Sequence, residues 1–460
     1  MSAFATILDI PHLLDTICAG LWTYEISTCA ACCKAWYSAF GPYRFRKLEI
    51  KYMDHDRLSF LYQVGHLVHD LWIQMPVLEV FDSSRCTSLR KLYLSFKDGD
   101  NDDKMEAAGP EHRIATTRNQ SNKAQDGWER TPTLAKFDRF ARMTDLIRQN
   151  QRLRSLWLLS SFGAMCSKSL DQPILDAIRS LPALTIITIQ LDMTCLVLAK
   201  LINHLPPQLQ ELNIYGSVTL ATLLDHDLCK VESRLFKSHD SPLSLRSLVF
   251  LDVACFTKLS FIHLLKRCPD LEHLDLPHVS NDGEDQNYLT EVAHLLDSGC
   301  KRLSSLGMRC LCPECHPGKD ASMILQKFSR GFKCLRLSAF YCEHDSPPTW
   351  ATTIVLETLI FSPTVNTIED LTFSSDYGNG DRFIRILEQC PRLRVFRAKH
   401  TSSMCRGLNA SDLLSSMEKP WKCQDTLETL ELNVYDSVQK MEQLRLRLRS
   451  LPRLTWFSLR

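Results

Sequence analysis

The chain has 460 residues, 45% of them hydrophobic, and its 54 lysines and arginines nearly balance its 53 aspartates and glutamates. A chain of this length exceeds what one hydrophobic core usually supports, so we expect several domains or one elongated repeat array. The balanced charge lacks the chain-wide basic excess of proteins that hold nucleic acid by its phosphates. We therefore expect no nucleic-acid partner, although a local basic patch is compatible with this composition.

The N-terminus and the most apolar stretch both lack membrane features. No basic segment precedes the first apolar residues, and Asp9 and Asp15 interrupt them, so we expect neither a signal peptide nor an anchor. Residues 184–202 contain Asp192 and Lys200, which argues against a transmembrane helix. We expect a protein of the cytoplasm, the nucleus or both, with no membrane partner.

A small helical unit is predicted at residues 1–50. Pro11 stands where its first helix begins, a position at which the missing N–H of proline costs nothing. Apolar residues recur at helical spacing at Ile7, Ile10, Leu13, Leu14, Ile17 and Leu21, and again from Ile26 to Trp36. So small a unit is marginal alone and usually completes its core against a neighbouring domain or a partner.

The same segment resembles an F-box. It reads Ile-Pro-His-Leu-Leu-Asp-Thr-Ile at 10–17, Cys-Lys-Ala-Trp at 33–36 and Phe-Arg-Lys-Leu-Glu-Ile at 45–50, similar to the family pattern of a Leu-Pro start, a Leu-x-x-Ile helix and a Cys-Lys-x-Trp end. The resemblance implies docking on the adaptor Skp1, with the surface or its support formed by Ile10, Pro11, Leu14, Ile17, Ile26 and Trp36. The alternative is a helical cap for a repeat array, whose first unit must be covered.

Residues 97–132 interrupt the pattern of the chain. They include Asp-Gly-Asp-Asn-Asp-Asp at 98–103 and few β-branched or aromatic residues. Such a segment cannot bury enough apolar area to offset its ordering entropy, so we predict a disordered insertion. A regulatory or partner-binding insertion is the alternative.

A repeated phrase of helix, stop and short strand fills the rest of the chain. In its clearest copy, 261–277, a helical face ends at Pro269 and is followed by Leu271, Leu274 and Leu276, which fit the Leu-x-x-Leu-x-Leu rule of leucine-rich repeats. Strand motifs are predicted to start near Leu153, Leu184, Leu209, Leu245, Leu271, Leu303, Phe332, Leu356, Leu393, Leu427 and Leu454. Ile368 starts a second motif soon after Leu356, and the sequence leaves open which of the two is the strand.

These patterns define the predicted fold class, which is α/β. We predict a short N-terminal α-helical F-box at 1–50, followed at 51–460 by a curved leucine-rich-repeat solenoid with parallel strands on its concave side and helices on its convex side. The chain is thereby similar to F-box proteins with leucine-rich repeats of the fungal type.

The residues between the motif leucines are candidates for a target-binding surface. In a strand they alternate with the inward-facing leucines, and aromatic and arginine side chains are typical of binding hot spots. The predicted target-binding residues are Trp157, Tyr215, Asp275, Arg309, Arg336, Arg397 and Lys399, and Trp72, Tyr93, Gln190, Asn213, His273 and Trp456 occupy similar positions. The later arginines favour an acidic or phosphorylated segment. The alternative is an ordinary solvated strand face.

The 19 cysteines are scattered through apolar patterns, which is typical of reduced, mostly buried thiols. The densest group offers Cys312, Cys315, Cys342 and His344, which could form a zinc site if two loops meet. One Cys-x-x-Cys pair without a second is a weak signal, so we predict no metal. A loop of reduced thiols and a redox dithiol are the other interpretations.

The chain offers no motif for catalysis. It has no phosphate-binding glycine loop, nucleophile elbow or His-Glu-x-x-His helix, so we expect no enzyme activity and no cofactor. F-box proteins with leucine-rich repeats act as substrate-recognition subunits of SCF (Skp1–cullin–F-box) ubiquitin ligases. The resemblance therefore implies Skp1, through it a cullin-RING ligase, and a target protein as partners. A non-catalytic repeat scaffold acting outside any ubiquitin ligase is the alternative.

Overall fold

The computed structural model describes residues 10–21, 23–50, 63–74, 83–96, 133–159, 170–191, 193–215, 218–219, 234, 236, 241–251, 257–276, 286–308, 317–338, 349–375, 380–400 and 408–459. The chain forms two compact units. The first comprises Met1–Met193 with His204–Leu209, and the second comprises Thr194–Asn203 with Gln210–Arg460. The predicted insertion at 97–132 lies outside the described residues.

The first unit begins with a small helical bundle. Its helices are α1 (Pro11–Gly20), α2 (Thr23–Ala31) and α3 (Lys34–Phe40), and a 3-10 turn at Gly41–Phe45 follows them. Residues four apart on one helix share a face, and these pairs build a common core. Its buried members are Leu14, Cys18, Ile26, Ala30, Phe40 and Tyr43.

Five parallel strands of the first unit follow the bundle. They are β1 (Lys47–Ile50), β2 (Asp70–Gln74), β3 (Lys91–Ser95), β4 (Ser155–Leu159) and β5 (Ile186–Gln190), and each pairs with the next. Helices α4 (Thr133–Gln149) and α5 (Gln172–Arg179) precede β4 and β5, and 3-10 turns lie at Gly65–Leu67 and Ser83–Arg85. The bundle and these strands therefore belong to one compact unit.

The described part of the second unit continues this arrangement with nine parallel strands and eight helices. Its parallel strands are β6 (Glu211–Tyr215), β7 (Ser247–Leu251), β8 (His273–Leu276), β9 (Ser305–Met308), β10 (Cys334–Ser338), β11 (Asp370–Ser375), β12 (Val395–His400), β13 (Thr429–Leu432) and β14 (Trp456–Leu459). Its helices are α6 (Cys195–Asn203), α7 (Lys258–Lys266), α8 (Gln286–Ser298), α9 (Pro317–Lys327), α10 (Thr349–Phe361), α11 (Gly380–Gln389), α12 (Ala410–Ser416) and α13 (Val438–Arg449). Shorter elements are the 3-10 turn Pro363–Asn366 and the two-residue strands Met193–Thr194, Val218–Thr219, Leu408–Asn409 and Val434–Tyr435.

In each unit, apolar side chains at one register position of successive strands form a continuous row, which we call a rung. Parallel strands cannot be joined by a tight hairpin, so a helix or a longer connection carries the chain back before each strand. In the first unit the rung runs through Leu48, Leu71, Leu92, Leu156 and Ile187. In the second it runs through Leu212, Leu248, Leu274, Leu306, Leu335, Leu371, Phe396, Leu430 and Phe457.

Polar groups link neighbouring repeats behind the strands. The buried Asn150 donates from Nδ2 to the Leu146 carbonyl (2.7 Å) and accepts at Oδ1 from the Leu89 amide (2.9 Å). The Arg330 guanidinium donates to the Cys300 carbonyl (2.9 Å), just beyond the end of α8. Asn150 thereby satisfies a carbonyl in the last turn of α4, a group that a helix end leaves unpaired.

Cysteines that lie between a repeat helix and the following strand are buried, free thiols. Cys268, Cys300, Cys390 and Cys423 are all buried, and every cysteine that the structure describes is free. The Cys423 thiol donates to the Leu387 carbonyl of the preceding repeat (3.3 Å), and burial raises its pKa to about 12. The expectation of reduced, mostly buried thiols is confirmed for the described part of the chain.

The predicted alternation of helices with parallel strands is confirmed. Helices α7 and α11 end shortly before Pro269 and Pro391, as the repeated phrase predicts. The competing motifs at Leu356 and Ile368 are also resolved, because Leu356 lies within α10 and Ile368 directly precedes β11. The prediction of a strand starting near Leu356 is wrong: Leu356 and Leu359 are buried on one face of α10, and Phe361, which completes the apparent strand motif, is 79% exposed.

Gly307 in β9 is expected to be essential for the packing of β8 against β9. A Cβ at this position would lie 1.7 Å from Asp275 Oδ1, so Gly307→Ala should force the buried carboxylate to move and cost roughly 1–3 kcal/mol of unfolding free energy. Urea titration of the full chain measures this change. Gly20→Ala is the control, because nothing lies within 4 Å of its added Cβ. Equal midpoints for Gly307→Ala and wild type would contradict the expectation.

Candidate functional site

Three aromatic side chains form a stacked row on the strands of the first unit. Trp72, Tyr93 and Trp157 are in register on β2, β3 and β4, with ring centroids 5.7 and 5.3 Å apart. They alternate with the buried leucines, so they lie on the opposite face of the strands. Trp72 is 39% exposed. We call these three residues the aromatic ladder.

Neighbouring groups hold the aromatic ladder in place. Trp157 Nε1 donates to Ser155 Oγ, two residues earlier on the same strand (2.9 Å). Glu49 on β1 is in register with Trp72, and the buried Thr188 on β5 is in register with Trp157. Rigid, stacked aromatic rings offer a large contact area at little entropic cost, which is what a protein-binding hot spot requires.

The arginines of the second unit lie in one rung, which is not uniformly basic. Register places Arg336 on β10, Thr372 on β11, Arg397 on β12 and Glu431 on β13 in sequence. Arg397 Nη1 also lies 3.8 Å from Asp370 Oδ1. The two predicted arginines thus share a rung, but threonine separates them and carboxylates lie beside Arg397.

Asp275 does not fit the predicted solvent-facing surface. Its side chain is only 3% exposed, and its Oδ1 lies 3.2 Å from His273 Nε2 on the same strand. His273 Nδ1 in turn lies 2.7 Å from Ser305 Oγ on the next strand. The expectation that Asp275 faces solvent is wrong, because its carboxylate lies in the space that a side chain on the in-register Gly307 would fill.

The remaining predicted target-binding residues fall in different places. Tyr215 is half-buried at the end of β6. Lys399 lies on β12, in register with Ser374, and its side chain is not among the described parts of the chain. Arg309 lies outside the described residues. In the described part, register therefore brings together the aromatic ladder in one unit and the mixed arginine rung in the other.

The predicted Skp1-docking residues separate into core and surface. Leu14 and Ile26 are buried in the helical core, and Trp36 packs against that core with its ring 5.3 Å from the Phe40 ring. Ile17, in contrast, is 38% exposed. Ile10 is half-buried directly before α1, and Pro11 is the first residue of that helix.

Two exposed aromatic residues of the helical bundle were not predicted as site residues. Tyr24 on α2 is 69% exposed and Tyr37 on α3 is 60% exposed. Both depart from the spacing of the buried residues, which was the only signal in the sequence that could have identified them. Together with Ile17 they give the bundle three large side chains that its own core does not use.

A charged hydrogen-bond network ties α1 to the end of the bundle. Asp15 Oδ1 accepts from the Tyr43 hydroxyl (2.6 Å) and from Arg46 Nη2 (2.7 Å), and the Arg46 guanidinium lies 3.7 Å from the Tyr43 ring centroid. The hydrogen bonds from Tyr43 and Arg46 lower the pKa of Asp15, and burial followed by the bond to Asp15 raises the pKa of Tyr43 to about 12. No pattern in the sequence predicted this network.

The candidate zinc ligands Cys312, Cys315, Cys342 and His344 lie outside the described residues. Within the described ranges, no group of three or more histidine, cysteine, aspartate or glutamate side chains is placed to hold a metal ion. The same part of the chain contains no helix that is both long and apolar enough to cross a bilayer.

Two comparisons with known proteins identified no relative of this chain. A scan of protein-family models matched none of them to the chain, and a search of curated proteins found no similar sequence. The geometry of the aromatic ladder, the arginine rung and the helical bundle is therefore the basis for inferring function.

The Asp15 network predicts a pH-dependent stability of the helical bundle. Because the folded state lowers the pKa of Asp15, its contribution is complete above the ordinary carboxyl pKa of 3.8 and is lost as pH falls through the lower folded value. We expect Asp15→Asn to destabilise the bundle at pH 7 by about 1 kcal/mol, a value discounted for partial exposure, which is roughly fivefold in hydrogen-exchange protection of α1 and α3.

The difference between wild type and Asp15→Asn should shrink at pH values below 3.8, measured by amide exchange of the full chain with both proteins at the same pH. Asp425→Asn is the matched control, since Asp425 is exposed and forms no ion pair within the described ranges. A difference that stays constant between neutral and acidic pH would show that the carboxylate charge is not involved.

Proposed function

We propose that the chain is a substrate-recognition subunit of an SCF-type ubiquitin ligase, whose helical bundle docks on Skp1 and whose strands bind a target protein. In this proposal residues 1–50 are an F-box and the repeats form a curved solenoid with the strands on its concave side. The chain performs no chemistry itself. It raises the concentration of the target near a ubiquitin-charged enzyme.

The observation that carries the proposal is the division of the helical bundle into a closed core and an exposed set of apolar and aromatic residues. Leu14 and Ile26 fill the core, whereas Ile17, Tyr24 and Tyr37 are exposed. Single exposed hydrophobic residues are normal, but three within so short a segment suit a partner-binding surface. The resemblance of the segment to an F-box supports Skp1 as that partner.

The aromatic ladder is the part of the strands best suited to the target. Trp72, Tyr93 and Trp157 combine large area with fixed geometry, and interface hot spots are enriched in such residues. The mixed rung of Arg336, Arg397 and Glu431 suits a target segment with both charge signs better than a purely acidic one. The proposed target surface therefore includes the aromatic ladder as well as the arginines.

Replacing Ile17 by aspartate tests the docking role of the bundle. Ile17→Asp places a charge on the exposed position of α1 without entering the core, so the full chain should fold but bind Skp1 at least about tenfold more weakly. Co-purification and titration with Skp1 measure the effect.

Leu446→Asp is the matched control, because Leu446 is an exposed apolar residue on α13. It should bind Skp1 like wild type. If the wild-type chain does not bind Skp1, the ligase proposal fails and the repeat scaffold outside a ligase takes its place. If Ile17→Asp binds normally, docking must use another face of the bundle.

A double substitution tests the role of the aromatic ladder in target binding. Trp72→Ala with Trp157→Ala should weaken binding of target proteins by roughly 30-fold or more, since a hot-spot residue typically contributes at least 2 kcal/mol. Quantitative mass spectrometry of proteins captured with the full chain and Skp1 measures the loss.

The control for the ladder is Phe361→Ala, which removes an exposed aromatic side chain from α10 rather than from a strand. Arg336→Glu with Arg397→Glu is analysed in parallel, and every variant should retain Skp1. Capture that survives the ladder substitutions but is lost with the arginine pair would assign target selection to the second unit.

A further inference from the structure

The first unit contains a basic pocket beside the core of the helical bundle. The pocket has a volume of about 320 Å³, and its lining includes Asp15 and Thr23 from the helical bundle and residues at the start of β1 to β4. This volume is at the lower end of the range for small-molecule sites. The pocket is therefore large enough for a small ligand or a short charged group.

Four basic residues occupy equivalent positions along one side of this pocket. The His69 amide donates to the Arg46 carbonyl (2.9 Å), the Arg90 amide to the His69 carbonyl (2.7 Å), and the Arg154 amide to the Arg90 carbonyl (2.8 Å). Each residue thus stands beside the next at the spacing of parallel strands, about 4.8 Å. We call these four residues the basic ladder.

Both carboxylates of the pocket already have cationic partners. Asp15 is bonded to Arg46 at 2.7 Å, and Asp70 Oδ2 lies 3.8 Å from Lys91 Nζ. The acidic groups that line the pocket are therefore occupied by two of its cations. Neither carboxylate forms an ion pair with Arg90 or Arg154 among the described residues.

Three further cations at the pocket have no such partner. Arg90, Arg154 and Lys47 all line it, all are exposed, and none forms an ion pair within 4 Å in the described part of the chain. Arg90 and Arg154 are adjacent on the ladder. Two guanidinium groups on neighbouring strands can each direct paired N–H donors at one tetrahedral oxyanion.

The pKa of His69 in this pocket is lowered. Burial is the largest cause, the charges of Arg46 and Arg90 lower the pKa further, and the charges of Asp70 and Asp15 oppose them. A positive potential disfavours protonation of an imidazole and favours a bound anion for the same physical reason. The electrostatic observation and the geometry therefore agree.

We propose that this pocket binds a phosphate group, held between the guanidinium groups of Arg90 and Arg154. A phosphate monoester carries close to two negative charges and three acceptor oxygens, which match two arginine forks and a nearby lysine better than a single carboxylate does. The group can belong to a free oligophosphate or to a phosphorylated side chain of another protein. The proposal is independent of Skp1 docking, because neither arginine belongs to the helical bundle.

Isothermal titration of the purified full chain tests the proposal. The probes are inorganic phosphate, tripolyphosphate, a phosphoserine peptide and the same peptide with glutamate, all at one ionic strength. At least one phosphate probe should bind saturably, and Arg90→Gln with Arg154→Gln should weaken its Kd at least about tenfold, because charge-assisted hydrogen bonds are lost. Calorimetry is preferred to thermal shift because phosphate salts stabilise proteins without binding.

Arg152→Gln with Arg453→Gln is the matched control, since it removes the same charge from two exposed arginines that do not line the pocket. It should leave the Kd within about twofold, because only screened long-range charge is lost. Tighter binding of the phosphoserine peptide than of tripolyphosphate would identify a protein phosphoester as the source of the phosphate group. Tighter binding of tripolyphosphate would identify a free oligophosphate. The proposal is overturned if no phosphate probe binds, if the Arg90 and Arg154 variant binds normally, or if the glutamate peptide binds equally well.

Discussion

The structure depends on one contact that is repeated from strand to strand. On each strand an apolar side chain packs against the in-register side chain of the next strand. A strand of four to six residues cannot bury its own leucine, because much of that side chain is covered only by the neighbouring repeats. Each fully buried leucine or isoleucine contributes roughly 1.5–3 kcal/mol, and the rung through Leu71, Leu92 and Leu156 gains this only when all three strands pair. The same requirement explains the cross-repeat bonds of Asn150, which fix a helix end beside the incoming strand.

Register also decides which exposed side chains meet. Side chains alternate along a strand, so aligning the leucines automatically aligns the positions between them on the other face. Trp72, Tyr93 and Trp157 meet for this reason, although residues 97–132 separate the last from the first two in sequence. The same rule sets Arg397 beside Glu431 in the second unit. The candidate surfaces are thus consequences of the core.

The sequence indicated the repeats well because their signals are local. A helical face, a proline and the leucines of the next strand lie within one short phrase, so α7 and β8 could be predicted together. The burial of Asp275 could not be predicted, since it depends on a glycine in the following strand rather than on the residues beside it. Ile17 and Leu14 likewise share one apolar pattern in α1, and only packing against α2 and α3 separates the exposed residue from the core.

Local pairing explains how a chain of nearly zero net charge can contain a basic pocket. Asp15 is paired with Arg46 and Tyr43, and Asp70 with Lys91, so neither acid forms a close ion pair with Arg90 or Arg154. Charges that balance farther along the chain are screened beyond about 8–10 Å at physiological salt, so the distant acids cannot neutralise the pocket either. Screening also limits the reach of the pocket itself. Recognition there must come from donor geometry at contact distance rather than from long-range attraction, which favours a small group with several acceptor oxygens over an extended polyanion.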